Sequence, residues 1–179
     1  MRIEIVAYQT HWPDTFVRHA QPIRAALGRL ALRVDHVGST SIPGADAKPI
    51  IDIQISVAAF EPFDPIRLPI QNLGYVWRAD NPDRTKRYFR EAPGTPRVHI
   101  HVRRSGSWSE QCTLLFRDYL RSHPDDVARY AALKYRLAAQ YGENREGYTE
   151  AKSPFVWQVM ARANAWSQIT GWQPGPSDL

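Results

Sequence analysis

The sequence has a single cysteine, Cys112, so no disulfide can form within the chain and the fold has to rest on its apolar core. It has no run of about 18 apolar residues, which excludes a helix that crosses a membrane. The opening "MRIEIVAYQTHWPDTF" turns polar at once, without the basic start and apolar stretch of a secretory leader, so the expectation is a cytoplasmic protein. There is no Lys/Arg block either. The formal charge is +5, from 23 Lys+Arg against 18 Asp+Glu, and the basic residues are scattered as in "FRDYLRSH". That balance favours anionic partners in general while giving no ground to expect nucleic acid. Internal repeats, low-complexity tracts and linkers are also absent, and 179 residues suit one domain spanning 1–179.

What the sequence does contain is a change of periodicity. Residues 2–6 alternate as a short strand would, and apolar residues from Asp14 to Leu30 (Phe16, Val17, Ala20, Ile23, Leu27, Leu30) recur at helical spacing. A strand is expected over 31–38, a loop over 38–48, and a second strand over 49–57. Pro62, Pro65 and Pro69 break any long helix between 60 and 73. Short strands follow at "YVW", "RYFRE" and "RVHIHVRR", the last two joined by "APGTP". After Ser107 the pattern is helical, with Ser107 and Glu110 in capping-box spacing. Three helices are expected, the second from about Pro124 and the third from about Thr149 to Ile169, before an irregular tail over 170–179. Strands in front and helices behind give an α+β fold class.

The chemistry concentrates in "HVGSTSIPGADAKPIIDIQ". It resembles a phosphate-binding P-loop at first sight, but that loop needs Gly-Lys-Ser/Thr opening a helix, and Lys48 is followed by Pro49 and a strand. In that strand Ile51, Ile53, Ile55 and Val57 point one way, and Asp52, Gln54 and Ser56 the other. "RVHIHVRR" has the same design, with His99, His101 and Arg103 opposite Val98, Ile100 and Val102. If the two strands are near neighbours, one sheet face carries Asp52, Gln54, His99, His101 and Arg103, where a cleft and a divalent ion could lie. Backbone N–H groups from Gly38 to Ser41 could then bind an anion.

Ordinary readings stand beside these. His99 and His101 could be polar partners on a solvated face, and Ser39, Thr40 and Ser41 turn residues that bond local backbone. Lys48 could be a surface charge and His36 a satisfied, half-buried histidine. Phe116, Tyr119, Tyr130, Phe155, Trp157 and Trp166 sit at helical spacing and read as core. Asp52 differs, because a carboxylate inside an isoleucine-rich strand is costly to desolvate without a partner or an opening.

The stretches "DHVGSTSIPGADAKPIIDIQISV", "LGYVWR", "RYFR", "HIHV", "FRDYLRSHPDDVARYAALKYRLA" and "YTEAKSPFV", in this order, resemble the GrpB family over roughly residues 3–168. The family's place in the nucleotidyltransferase superfamily implies a mixed β-sheet with flanking helices and a C-terminal helical segment. It also implies a Gly-Ser turn followed by a strand that carries Asp-x-Asp or Asp-x-Glu, whose carboxylates hold Mg²⁺ against a nucleotide's phosphates. Gly38 and Ser39 match the turn and Asp52 the first carboxylate, whereas Gln54 stands where the second would be.

The resemblance thus implies a protein that binds a nucleotide or another phosphorylated small molecule, with Mg²⁺ or Mn²⁺ as the ion and nucleotidyl transfer as the activity. The expected catalytic residues are Asp52, His99 and His101. Gly38, Ser39, Thr40, Ser41, Lys48 and Arg103 would bind the ligand, and Asp52, Gln54 and His101 the metal. The alternative is a non-catalytic module that acts on a protein partner, linked to coenzyme A metabolism through relatives fused to dephospho-CoA kinase. A zinc hydrolase built from His36, His99, His101 and Asp52 is a third reading.

Overall fold

A computed structural model describes residues 2–179. Helix α1 (Trp12–Leu27) buries Trp12, Phe16, Ala20, Ile23 and Leu27, a stripe at spacings of three and four. It starts earlier and ends earlier than the periodicity predicts. Pro13 fits the first turn, where its missing N–H is not needed, and Gly28 stops the helix at φ +52°. A 3₁₀ turn over Gly28–Leu30 follows, leaving Leu30 and Val17 on the surface.

Five strands form one sheet: β1 (Arg33–Val37), β2 (Ile51–Val57), β3 (Val76–Trp77), β4 (Lys86–Arg90) and β5 (Val98–Arg104). Their order is β1-β2-β5-β4-β3, with β2 and β5 parallel and the other neighbours antiparallel. A parallel pair needs a crossover, and here it carries β3, β4 and helix α2 (Asp64–Asn72). The prolines of that segment permit this one short helix. Pro65 lies in its first turn, Pro69 is inside it, and buried Ile66 and Ile70 hold it against the core. The expected strand at 2–6 is reduced to one bridge, Val6 with Ala47, because no strand runs alongside to extend the ladder.

Register decides what each face carries. Ile53 pairs with Ile100 and with His36, so these three point to the face under α1 and α2, where Val34, Ile51, Ile55, Val57, Val98 and Val102 form the main core. Asp52 pairs with His99 and Gln54 with His101, on the opposite face. Helices α3 (Trp108–Arg121), α4 (Pro124–Tyr141) and α5 (Arg145–Thr170) pack on that second side. They build a separate cluster from Leu115, Tyr119, Leu120, Val127, Tyr130, Val159 and Ala163, into which the loop inserts Ile42 and Ala45. Ser107 caps α3 as its spacing predicts. Helix α5 begins four residues before the expected start, where the Asn144 side chain accepts from the Gly147 N–H at 3.0 Å.

The tail has no regular element but is tied to the free edge of β1. Val34 N–H donates to Ser177 Oγ at 2.8 Å, His36 N–H to Asp178 Oδ2 at 2.8 Å, and Leu179 N–H to the Val34 carbonyl at 3.2 Å. An exposed edge that would otherwise offer unpaired backbone groups is thereby covered. No helix among the described residues is long and apolar enough to cross a membrane.

Candidate functional site: a lysine-lined cavity at Asp52

The second face of the sheet is not the open polar surface that its alternation suggests. Helix α3 lies across one end and buries Gln54 and Ser56 completely. Buried Glu110 receives the Ser56 hydroxyl and, at 2.6 Å, the Gly106 N–H. Gln54 Nε2 reaches the Glu110 carbonyl at 3.4 Å while its Oε1 has no partner. The amide is therefore under α3 and faces no ligand. Only the Asp52 end stays open, with the Asp52 side chain 26% exposed.

Two imidazoles hold Asp52 Oδ1, His101 Nε2 at 3.0 Å and His99 Nδ1 at 3.5 Å. Arg97 donates to His99 Nε2 at 3.1 Å, so that nitrogen accepts and Nδ1 carries the proton that faces Asp52. Burial works to raise the Asp52 carboxyl, but hydrogen bonds from His101 and His99 outweigh it and hold the group well below the usual carboxylate range. Burial also pushes His101 down, against the pull of Asp52, so the pair is a neutral donor on an ionised acceptor. Tyr88 stacks on the His101 ring at 5.2 Å between centroids and fixes its plane.

Gly38 is needed beside this carboxylate for two reasons. Its backbone, at φ +72° and ψ −176°, lies where only glycine is at ease. A Cβ at this position would stand 2.5 Å from Asp52 Oδ2. The following turn over Ser39–Ser41 is held by Ser41 Oγ donating to the Gly38 carbonyl at 2.6 Å and Thr40 Oγ1 donating to the Ile50 carbonyl at 3.1 Å. With its hydrogen so used, Thr40 Oγ1 accepts from His36 Nε2 at 3.0 Å. Ser41 and Thr40 are thus engaged in the turn itself, and Thr40, Ser39 and Gly38 border a cavity of about 220 Å³.

That cavity lies between the sheet and the helices, and its wall holds three lysines, Lys48 from the loop, Lys134 from α4 and Lys152 from α5. Asp52 is the only carboxylate in the lining. Burial and the charges of Lys152, Arg145 and Arg97 bring Lys48 down to about 8. Burial and Lys152 bring Lys134 to about 7, although its ammonium donates to the Asp46 carbonyl. Lys152 is lowered too, by burial. The ammonium groups rest on aromatic faces: Lys48 is 4.6 Å from the Tyr148 ring centroid and Lys134 4.4 Å from that of Tyr130. Tyr148 is fully buried and its hydroxyl has no partner.

Of the residues singled out in the sequence, the cavity gathers Gly38, Ser39, Thr40, Lys48, Asp52 and His99. His101 stands behind Asp52. Arg103 does not border the cavity; it lies toward Thr85, its Nη1 3.3 Å from that hydroxyl. His36 points to the other face of the sheet with Ile53, stacked on Phe16 at 4.8 Å, so it cannot join His99, His101 and Asp52 around an ion; burial holds it neutral, at about 3. That removes the four-residue zinc set. Lys134, Lys152 and Tyr148 were not singled out. The available signal was a lysine on a buried helical stripe, since Lys134 follows Val127 and Tyr130 and precedes Leu137 and Ala138 on the inward side of α4. Tyr130 and Phe116, read as core, also form cavity wall.

Comparison with known proteins gives the chain its relatives. A protein of the UPF0157 group from Pseudomonas aeruginosa is 41% identical over 172 residues, covering 92% of this chain and 69% of that protein. Another from Halalkalibacterium halodurans is 38% identical over 163 residues, covering 91% and 83%. A dephospho-CoA kinase of Mycolicibacterium paratuberculosis is 31% identical across 96% of this chain, which spans 48% of that protein. Among solved structures, the conserved protein GrpB from Enterococcus faecalis superposes with a TM-score of 0.83 at 30% identity, over 91% of this chain and 99% of that one. The Cid1 poly(U) polymerase, in a crystal with MgATP, superposes with a TM-score of 0.50 at 11% identity over 73% of this chain and 42% of its own, a likeness of fold. The fold is thus of the nucleotidyltransferase kind, a mixed sheet with flanking helices. With the profile described as GrpB protein matching residues 2–162, the chain belongs to the GrpB family.

Proposed function

We propose that this protein binds the phosphates of a nucleotide, or of another phosphorylated small molecule, in the cavity at Asp52. The observation that carries the reading is the convergence of three lysines and one carboxylate on a pocket of about 220 Å³ beside the Gly38 turn. Lysine ammonium groups raised over buried aromatic rings and held near neutrality are short of counter-charge, and a phosphate chain supplies it. Tyr148 offers an unpaired hydroxyl to the same ligand. The pocket is small beside the roughly 300–1,000 Å³ of ordinary ligand sites, so it takes the phosphates and leaves the rest of the molecule outside.

The likeness to Cid1 raises Mg²⁺ as the ion, and the residues present do not fit it. Mg²⁺ prefers an all-oxygen octahedral shell, whereas the donors here are one carboxylate and two imidazoles, with Gln54 shut under α3. Asp52, His99 and His101, whose ligand atoms lie within 4.8 Å of one another, suit Mn²⁺ better by ligand type. If held there, Mn²⁺ would neutralise phosphate charge. The chain's own residues do the rest: the lysines bind and orient the phosphates, Gly38 lets the turn approach Asp52, and without an ion His99 and His101 donate to that carboxylate and keep it ionised, protons they would give up to ligate the ion.

A second reading is favoured by one observation, the lone carboxylate of the cavity. With no second acid beside Asp52, binding without transfer is the expected behaviour, as in a module that senses a phosphorylated metabolite or assists a partner enzyme. Titration with a panel of nucleoside triphosphates, with and without Mn²⁺, tests the proposal. Saturable binding that is lost in Lys152→Ala and altered in Asp52→Ala supports it; absence of binding, or binding unchanged in both variants, refutes it.

A further inference from the structure

Two further hollows continue from the cavity. A narrow crevice of about 110 Å³ shares Lys48 and Ile50 with it, and shares Arg97 and Arg145 with an open cleft of about 850 Å³. The cleft lies between the turn joining β4 to β5 and the start of α5, and carries Arg78, Arg90, Arg97 and Arg145. Lys48, Arg97 and Arg145 therefore mark one basic track from Asp52 to the cleft. Arg97 couples the two ends directly, since its guanidinium contacts His99 at 3.1 Å and His99 faces Asp52.

The two ends differ in chemistry. The cavity has ammonium groups on aromatic rings. The cleft has guanidinium groups, which present paired donors to phosphate, and its lining includes no aromatic ring on which a nucleobase could stack. Glu91 orders two of these arginines, with Arg90 at 2.9 Å and Arg97 at 3.3 Å, so their forks are set before a ligand arrives. Arg90 Nε is buried without a partner. The cleft's volume falls in the range of small-molecule sites. Arg78 is turned to Asp80 at 2.9 Å, so Arg90, Arg97 and Arg145 are the guanidinium groups left to meet a ligand, which suits a single phosphate group better than a long polyanion.

We infer that the arginine cleft binds a second, phosphate-bearing small molecule, whose phosphate lies on Arg90 and Arg145 while the cavity holds the phosphates of the first. This rests on the phosphate reading of the cavity, and it makes the protein a two-ligand binder with the ligands meeting at Lys48 and Arg97.

The test titrates the intact protein with two probes, inorganic tripolyphosphate for the cavity and AMP for the cleft. AMP is added both alone and after saturation with tripolyphosphate. The expected result is simultaneous occupancy. Arg145→Ala and Arg90→Ala should weaken AMP at least tenfold with the tight tripolyphosphate event retained, and Lys152→Ala should do the reverse. Arg145 is exposed, so its replacement leaves the fold intact even if Arg90→Ala does not. The inference is overturned if AMP does not saturate, if it is indifferent to the arginine substitutions, or if it competes one-for-one with tripolyphosphate and is lost in Lys152→Ala. It is overturned equally if a short single-stranded RNA occupies the arginines and AMP cannot displace it. Should tripolyphosphate fail to bind while AMP still follows the arginines, the cavity reading falls and the cleft stands.

Discussion

Gly38→Ala probes the closest approach in the site. Gly38 sits at φ +72°, ψ −176°, and a methyl there would lie 2.5 Å from Asp52 Oδ2 and 3.1 Å from Asp52 Cβ. The backbone alone should cost about 1–3 kcal/mol. The contact adds to this, because Asp52 cannot retreat without lengthening its hydrogen bonds to His99 and His101. Gly44→Ala is the internal control, since Gly44 has φ +76° with nothing within 4 Å of an added Cβ and should show backbone strain alone. Urea denaturation of Gly38→Ala, Asp52→Ala and the double variant separates the two contributions. In the Asp52→Ala background the penalty of Gly38→Ala should shrink by about 1 kcal/mol or more, a coupling typical of residues in direct contact. In thermal melts Gly38→Ala, at about 2–4 kcal/mol for backbone and contact together, should lower Tm by about 4–16 °C, taking ~2–4 °C per kcal/mol for a chain of this size. An equal penalty in both backgrounds would refute the close approach, and with it the claim that the Gly-Ser turn exists to seat Asp52.

Other consequences follow from the same geometry. His36 is neutral in the fold, held at about 3 by burial and by Arg121 and Arg117 against Asp52, while the unfolded chain binds its proton near 6.5. Its stabilising contribution is complete above 6.5 and drains away as pH falls toward 3. Wild type should lose about 2–3 kcal/mol more than His36→Gln between roughly pH 7 and 4.5 in urea titrations; parallel curves would count against a neutral His36. Lys134 and Lys48, at about 7 and 8, are partly uncharged at slightly alkaline pH. Tripolyphosphate should therefore bind with proton uptake near pH 8, read by calorimetry in buffers of differing ionisation heat, and weaken as pH rises further. Tyr148→Phe should leave urea stability unchanged or raise it slightly, because it removes a buried hydroxyl without a partner, and should weaken phosphate binding if the ligand uses that hydroxyl. Asp178→Ala removes an acceptor of the His36 N–H and a partner of Arg117, whose side chain is 4% exposed, and should cost about 1–3 kcal/mol by denaturation.

Much of this was legible along the chain where the cause was local. The shared design of β2 and β5 is a matter of alternation, so Asp52 and His99 could be expected on one face if the two strands were near neighbours, and the register pairs them. His36 could not be placed, because its face depends on the antiparallel register that sets Arg33 against Ser56. The closure over Gln54 depends on where α3 crosses the sheet, which no local pattern encodes. Lys134 and Lys152 come from helices far beyond the Gly38 turn in the chain and meet Lys48 only through tertiary packing. Their presence on inward stripes was the trace they left in the sequence. The early start of α5 falls outside the expected span because Gly147 lowers the helical signal there, and the Asn144 cap outweighs it.

The central claim is that the lysine cavity at Asp52 holds phosphate. Isothermal titration of inorganic tripolyphosphate into wild type, Lys134→Ala and Lys152→Ala tests it most directly. One tight site per chain, weakened at least tenfold by each substitution whether or not weaker binding at the arginine cleft follows it, is the predicted result. Absence of saturation in wild type, or equal affinity in all three proteins, would contradict it.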